Sequence, residues 1–208
     1  MKYESEKIIS SYNDNWQQWI DIAKHQEFSS GYLFPPLLNY FDKNKPILEL
    51  GAGVGQLCKI AQHYGYNVVA SDYCDAFVDY MTNEKLVAEK IDALNIPTGQ
   101  KRWHGIYTQG LSVLVTKDLD TVLKTYKSIY DALAQRGKFI FIFPRAKKTK
   151  FSRAAQHKQI YTQIGFKEIE VFRQQAFPAT LYRKNLIGFL EKYLGKLIGI
   201  RDIIILEK

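Results

Sequence analysis

The sequence predicts an α/β protein with a doubly wound, seven-stranded, mostly parallel sheet, formed by a single domain over residues 1–208. Two observations predict this class. Short segments of nearly continuous apolar residues, typical of strands buried on both faces, alternate with segments whose apolar residues recur at helical spacing. A turn with three glycines directly follows the first apolar strand. The composition, with 46% hydrophobic and 24% charged residues, is that of a folded domain.

Composition and cysteine content narrow the classes of protein further. No apolar run approaches the roughly 18 residues that a transmembrane helix requires. The N-terminal stretch MKYESEKIIS has acidic residues and lacks the apolar region of a signal peptide. The two cysteines, Cys58 and Cys74, have no metal-ligand spacing. We therefore expect a cytoplasmic protein with reduced thiols in or near its core and without a metal site.

The net charge of +8 is unevenly distributed along the chain. Residues 1–135 carry a net charge of −3, whereas residues 136–208 carry +11. A basic C-terminal third favours an anionic substrate, a membrane surface or nucleic acid as its partner. A solvated basic face is the alternative, and the charge pattern does not decide between them.

Residues 1–43 are predicted to form an N-terminal helical cap. A helix is expected over residues 3–28, because apolar and aromatic residues, Tyr12 and Trp16 among them, recur there at three-and-four spacing. This aromatic stripe favours packing against the core, and a lid over the functional site is the alternative. A pair of prolines then interrupts the chain before a short helix over Leu37–Phe41.

The first strand, Ile47–Leu50, runs into a turn with glycine at three alternate positions, Gly51, Gly53 and Gly55. The next helix is predicted to begin near Val54. Glycines lack the Cβ atoms that would hold a ligand away from the end of the strand, and the first N–H groups of the helix point into the same space. The turn therefore predicts a nucleotide-like cofactor.

Two details distinguish this turn from a dinucleotide site. Gln56 stands where the dinucleotide fingerprint has its third glycine. Glu49 places an acid two residues before the first glycine. A carboxylate there would repel a pyrophosphate, but it would suit a ligand that carries an ammonium group.

The second strand, Asn67–Ser71, also ends at an acid. Asp72 follows Gly51 by 21 positions. An acid at the end of the second strand faces the crevice beside the first turn, where it can accept hydrogen bonds from both hydroxyls of a ribose. Tyr73 is then placed to lie against an adenine ring, and a role at the start of the next helix is the alternative.

Three motifs together resemble those of a known family. Glu49 to Gly55 follow the pattern Glu-x-Gly-x-Gly-x-Gly, Asp72 ends the second strand, and the segment from Asp92-Ala93 to Pro97 follows Asp-Ala-x-x-Leu/Ile-Pro. The chain resembles the class I S-adenosylmethionine-dependent methyltransferases from about residue 30 to its end. The resemblance implies a Rossmann-like methyltransferase sheet with an antiparallel last strand, S-adenosylmethionine as the cofactor and S-adenosylhomocysteine as its product. The residues that we assign to the cofactor on this basis are Glu49, Gly51, Ala52, Gly53, Gly55, Asp72, Tyr73, Asp92, Ala93 and Thr108.

The remaining elements follow from periodicity and turn residues. Further helices are predicted over Leu57–Tyr64, Asp75–Thr82, Asp118–Gln135 and Phe151–Ile164. Further strands are predicted over Lys85–Lys90, Arg102–Thr108, Lys138–Phe143, Phe166–Phe172 and Asp202–Glu207, and the first of these is polar enough for a place near an edge. Residues 177–200 are predicted to form a helical insertion before the last strand. Its basic amphipathic part, 183–200, favours contact with a membrane surface or an anionic substrate, and a helix docked on its own domain is the alternative.

The acceptor side departs from the pattern of the family. His104 stands where family members commonly have an acid, and the stretch LSVLV that follows the fourth strand contains no histidine. In-line displacement of an activated methyl group depends on alignment and desolvation, but an oxygen acceptor also has to lose its proton. The candidate residues for that step are Tyr107, His104, Tyr12 and His157.

The first functional hypothesis is an enzyme that O-methylates a small molecule or a saccharide, including a lipid-linked glycan. The second is a nucleic-acid methyltransferase, which a pI near 9.3 favours. The stretch TQGL stands where base-methylating enzymes have Asn/Asp-Pro-Pro-Tyr, so nucleic acid is the weaker candidate. The third is a non-catalytic protein that binds S-adenosylmethionine. The oligomeric state and the methylated atom are left open by the sequence.

Overall fold

The computed structural model describes residues 17, 18, 20, 34–99, 103–143, 154–174 and 201–208. Gln17, Gln18 and Ile20 are helical and Ile20 is buried, as the predicted helix over residues 3–28 requires. The rest of that helix, including Tyr12, and the predicted insertion over residues 177–200 lie outside the described residues.

The described elements largely alternate between strands and helices, and two pairs of strands follow one another without a described helix between them. In chain order they are α1 (Pro35–Leu38), β1 (Ile47–Leu50), α2 (Gln56–His63), β2 (Val68–Asp72), α3 (Asp75–Asn83), β3 (Ala88–Lys90), β4 (Trp103–Gln109), a 3₁₀ turn (Ser112–Leu114), α4 (Leu119–Ala132), β5 (Leu133–Ile142), α5 (Ala154–Ile164), β6 (Lys167–Gln174) and β7 (Arg201–Glu207). Between β3 and β4 the described residues contain no helix, in agreement with the short connection that the sequence allows.

The strands form one seven-stranded sheet in the order β3-β2-β1-β4-β5-β7-β6. The five strands from β3 to β5 run parallel to one another. β7 lies between β5 and β6 and is antiparallel to both. The predicted sheet is thus confirmed, including the edge position of β3 and the antiparallel last strand.

Helices cover both faces of the sheet. One core combines α4 and α5 with alternate strand residues such as Leu48 and Ile106. The other core combines α1 and α2 with the intervening strand residues such as Ile47 and Tyr107. Successive side chains of a strand point to opposite faces, so continuous apolar strands supply both cores. Cys58 and Cys74 are both buried, as expected of thiols in or near the core.

The end of α4 is a correction to the sequence prediction. The helix stops at Ala132 and does not reach Gln135, because Leu133 is extended and pairs with Trp103 of β4. The chain then turns through Arg136, whose φ is 60°. The backbone N–H of Arg136 donates to the carbonyl of Lys208, so contacts with the last strand favour this turn over another helical turn.

Two helix starts also differ from the prediction. α1 begins at Pro35, so the proline pair opens the helix where it was expected to interrupt the chain. Proline suits the first helical turn because its missing N–H would have no partner there. α2 begins at Gln56 and not near Val54, because the cap residue Gly55 has a left-handed φ of 72° that a helix cannot contain.

Candidate functional site

The turn after β1 lies at the edge of the sheet where the parallel strands have their carboxyl ends. Gly51, Gly53 and Gly55 all have positive φ values, of 65°, 56° and 72°. Left-handed backbone is costly for residues with a Cβ atom. The three alternate glycines therefore allow a turn that other residues would strain, at the edge where ligands of open α/β sheets bind.

The space around the three glycines differs. A Cβ atom on Gly51 would lie 2.7 Å from Leu111 Cδ1, and one on Gly55 would lie 2.4 Å from Leu86 Cδ1. These two glycines are packed against protein side chains. A Cβ atom on Gly53 would meet nothing within 4 Å. Gly53 is therefore the position where the turn leaves room for a ligand to approach the backbone closely.

Hydrogen bonds from the two neighbouring strands hold the turn in place. Ser71 Oγ donates to the carbonyl of Glu49 at 2.7 Å, and Thr108 Oγ1 donates to the carbonyl of Leu50 at 2.6 Å. The backbone N–H of Ala52 donates to the carbonyl of Ser71 at 2.8 Å. Thr108 is fully buried, so the structure gives this predicted cofactor residue a supporting role beneath the turn.

Asp72 ends β2 beside Gly53. The N–H of Gly53 donates to Asp72 Oδ2 at 2.9 Å, and the N–H of Cys74 donates to Oδ1 at 3.0 Å. Burial raises the pKa of Asp72, while these backbone N–H groups act in the opposite direction. One carboxylate oxygen, Oδ2, is thereby held at the open part of the glycine turn, and the other, Oδ1, at the residue that precedes α3.

Glu49, which the sequence assigns to the cofactor, is buried. Its exposed fraction is 3%, and Tyr107 donates its hydroxyl to Glu49 Oε2 at 3.1 Å. Desolvation raises the pKa of Glu49 to about 8, against the opposing effects of hydrogen bonds from Tyr107 and the N–H of Cys58. Glu49 therefore lies beneath the turn as a buried acid whose protonated form the fold favours.

Tyr73 is accessible at the same edge of the sheet. Its exposed fraction is 46%, and Lys90 Nζ lies 5.6 Å from the centre of its ring. Lys90 also pairs with Asp75 at 2.7 Å. The helix that follows begins at Asp75 with Cys74 as its cap. Tyr73 thus precedes the helix and has a ring that a flat ligand can reach.

The segment after β3 packs next to Asp72. The N–H of Ile91 donates to the carbonyl of Asp72 at 3.1 Å. Asp92 Oδ1 accepts from the N–H of Leu94 at 2.9 Å, which closes a short turn, and Ala93 is buried. Five of the predicted cofactor residues, namely Gly51, Gly53, Asp72, Tyr73 and Asp92, are therefore brought to one edge of the sheet.

The solved structures that are similar to this chain include S-adenosylmethionine-dependent methyltransferases. The chain is similar to a TehB-like SAM-dependent methyltransferase from Corynebacterium glutamicum, with 15% identity, a TM-score of 0.68, and coverage of 96% of this chain and 98% of that one. A SAM-dependent methyltransferase from Mesorhizobium loti matches with 14% identity, a TM-score of 0.62, and coverage of 85% and 98%. The chain has the class I methyltransferase fold.

A third structure with the methyltransferase fold was solved with its cofactor. The glycopeptide N-methyltransferase MtfA complexed with S-adenosylmethionine matches with 13% identity, a TM-score of 0.60, and coverage of 78% of this chain and 81% of that one. No family model matches the sequence, and no curated protein does so either.

Within the described part of the chain, no helix combines the length and apolar character needed to cross a membrane.

The three candidate bases that the structure describes do not reach the predicted site of the methyltransferase fold. Tyr107 is fully buried, and burial raises its pKa well above the ordinary value. His157 is also fully buried, with Nδ1 3.0 Å from the hydroxyl of Tyr126. His104 is exposed at the start of β4, where its N–H donates to Pro46, so it lies at the opposite edge of the sheet. Tyr12 lies outside the described residues.

A polar cluster that the sequence did not reveal lies at the carboxyl edge of the methyltransferase sheet. It consists of Gln109 at the end of β4, Gln174 at the end of β6, and Arg201 at the start of β7. Arg201 donates to the side-chain oxygens of both glutamines. The one sequence signal is an arginine two residues before the apolar run Ile203–Leu206, and it identifies neither partner.

Proposed function

We propose that the chain is an S-adenosylmethionine-dependent methyltransferase whose cofactor binds at the glycine turn. The observation that supports this proposal most directly is the open space at Gly53 beside the oriented carboxylate of Asp72. A ligand can approach the backbone at Gly53 because no side chain fills the position of a Cβ atom. A carboxylate next to that space suits the two hydroxyls of a ribose.

The residues at the edge of the sheet fit the parts of the cofactor. Asp72 would accept hydrogen bonds from the ribose, Asp92 would accept one from the adenine amine, and the ring of Tyr73 would lie against the adenine. Gly51, Ala52 and Gly53 would follow the rest of the ligand along the turn. When bound, S-adenosylmethionine supplies a methyl group that is already activated by its sulfonium. The protein therefore has mainly to bind, align and exclude water.

We propose a small molecule or a saccharide as the acceptor, with an oxygen as the methylated atom. This class includes lipid-linked glycans. The predicted insertion over residues 177–200 favours such an acceptor, because its basic amphipathic stretch, 183–200, is suited to a membrane surface. Tyr107 and His157 are buried and so cannot act as the base, which favours an acceptor oxygen that is readily ionised. Such an oxygen needs little help from a base.

The same burial favours a second candidate, a protein that binds the cofactor without transferring its methyl group. Three of the four candidate bases are either buried or at the far edge of the sheet. A nucleic-acid acceptor is the third candidate and has only the basic charge of residues 136–208 in its favour.

A calorimetric titration with S-adenosylhomocysteine, beside NADH as a control, tests the cofactor. Micromolar binding of S-adenosylhomocysteine alone supports the proposal, and binding of NADH alone or of neither ligand contradicts it. Incubation with methyl-labelled S-adenosylmethionine and fractionated cell extracts then separates the three candidates. Label in small molecules or glycans supports the small-molecule or saccharide methyltransferase. Label in RNA with salt-sensitive retention supports the nucleic-acid methyltransferase. Tight binding without label in any fraction supports the non-catalytic protein.

A further inference from the structure

Arg201 occupies an unusual position for a charged residue. It is the first residue of β7, which lies between β5 and β6 in the sheet, and its exposed fraction is 9%. Because β7 is antiparallel to its neighbours, its start lies at the edge where β4 and β6 have their carboxyl ends. Arg201 is therefore buried at the same edge as the glycine turn.

The guanidinium of Arg201 joins two glutamines. Its Nε and Nη2 groups donate to Gln174 Oε1 at 3.0 and 2.7 Å, and its Nη1 group donates to Gln109 Oε1 at 3.3 Å. A guanidinium has N–H donors and no acceptor, so each amide has to present its oxygen to it. The Nε2 amino group of Gln109 consequently points away from Arg201.

Gln109 is close to the glycine turn through the register of the sheet. Glu49 of β1 pairs with Tyr107 of β4, so Gln109 is level with Gly51. Leu111, two residues further on, packs against Gly51. Gln109 is partly exposed, whereas Gln174 is 3% exposed. The amide that Arg201 orients is thus the accessible one of the pair.

We propose that Arg201 is a positioning residue that directs the Nε2 amino group of Gln109 towards the methyl acceptor. The inference rests on the proposed methyltransferase function and specifies the acceptor as a molecule with a hydrogen-bond-accepting oxygen beside the methylated atom. An amide does not remove a proton at neutral pH. The contribution of Gln109 is therefore to orient the acceptor for in-line attack.

The orientation of Gln109 can be measured without an acceptor. The side-chain amide signals of Gln109 in an ¹⁵N-labelled sample are assigned by their loss in Gln109→Glu, and their heteronuclear NOE reports their order. We expect an ordered amide in the wild type and a large drop in that NOE in Arg201→Lys and Arg201→Met. Lysine keeps the charge but lacks the planar fork that serves two oxygens. An unchanged NOE in both variants would overturn the proposal.

Arg173→Lys is the matched control. Arg173 lies on β6 at the same edge and donates to Asp202 at 3.1 Å, so the same chemical change is made without touching Gln109. We expect this variant to keep the order of the Gln109 amide. A drop as large as that in Arg201→Lys would mean that general loosening of the edge, and not the contact with Gln109, determines the amide's order, and it would overturn the proposal.

Turnover supplies a second readout once an acceptor fraction is labelled. Gln109→Glu retains oxygens for Arg201 but loses the donor, so we expect kcat/KM for the acceptor to fall at least tenfold while affinity for S-adenosylhomocysteine stays within twofold. Undiminished turnover would refute the role of Gln109. If the wild type does not bind S-adenosylhomocysteine, the proposed function is refuted. The NOE measurement would still decide whether Arg201 positions Gln109.

Discussion

The N–H of Gly53 donates a 2.9 Å hydrogen bond to Asp72 Oδ2, which links the turn after β1 to the end of β2. These residues are 19 positions apart and become neighbours because their strands are parallel and adjacent. The contact serves two purposes in the proposed site. It holds the turn in its left-handed conformation, and it orients a carboxylate at the one glycine of this turn whose side is open.

Asp72→Ala is expected to weaken binding of S-adenosylhomocysteine by about 1 to 3 kcal/mol, because it removes a charged hydrogen-bond acceptor. Calorimetry measures the change. Asp131→Ala is the control, since Asp131 forms an exposed ion pair with Lys127 on α4 and such pairs contribute little to stability. Equal affinities in the wild type and Asp72→Ala would remove Asp72 from the cofactor site.

Gly53→Ala is expected to reduce binding of S-adenosylhomocysteine at least tenfold while the protein remains folded. The new Cβ atom would occupy the space proposed for the ligand, and left-handed backbone would cost about 1 to 2 kcal/mol. Gly65→Ala is a matched control, because Gly65 has a φ of 81°, is equally free of neighbours within 4 Å and lies after α2, away from the turn. If Gly53→Ala and Gly65→Ala have similar thermal stability and bind S-adenosylhomocysteine equally well, the assignment of Gly53 to the cofactor site is contradicted.

The free energy of unfolding is expected to fall as the pH rises from about 4.5 to about 8, through the titration of Glu49. Its pKa is raised from 4.5 to about 8 in the folded protein, so the folded state binds the proton more tightly than the unfolded state. One such group changes the stability by at most about 1.4 kcal/mol per pH unit. Urea unfolding at several pH values measures this slope.

Glu49→Gln is the matched variant for this pH dependence. Glutamine resembles the protonated acid and does not titrate, so we expect the variant to be more stable than the wild type at pH 9 and similar to it at pH 5. Parallel stability profiles of the two proteins would show that Glu49 has no raised pKa.

Tyr107→Phe is expected to destabilise the protein and to leave the chemistry of methyl transfer intact. The hydroxyl of Tyr107 donates to the buried carboxyl of Glu49, and leaving a buried polar group without its donor costs about 1 to 3 kcal/mol. Urea unfolding and kcat with a labelled acceptor fraction measure the two effects. If the variant is as stable as the wild type and its kcat falls more than a hundredfold, Tyr107 acts as the catalytic base and this prediction is wrong.

Several features of the site were predictable because they depend on local sequence. Strand β1 and the three glycines were recognisable from an apolar run followed by residues that accept positive φ. Asp72 was recognisable from its place at the end of the second apolar run. In each case the chemistry of the feature is contained in a few consecutive residues.

Other features depended on where distant segments pack. Tyr107 and His157 have the side chains of candidate bases, but the periodicity of a short strand or helix does not say which polar residue joins the core. Glu49 has the sequence position of a ligand contact, yet α2 and Tyr107 bury it. Burial is the sum of contacts from several elements, so single-segment patterns predicted it poorly.

The sequence by itself determined the class of sheet, the glycine turn and the acid beside it, because parallel strands and tight turns impose local rules on residue type. Only the tertiary structure decided which polar groups face the edge of the sheet. Arg201 and Gln109 are 92 positions apart, and they meet because β7 inserts between β5 and β6 in the antiparallel direction. Such a contact depends on chain topology, which brings together residues whose local sequences do not predict that they will meet.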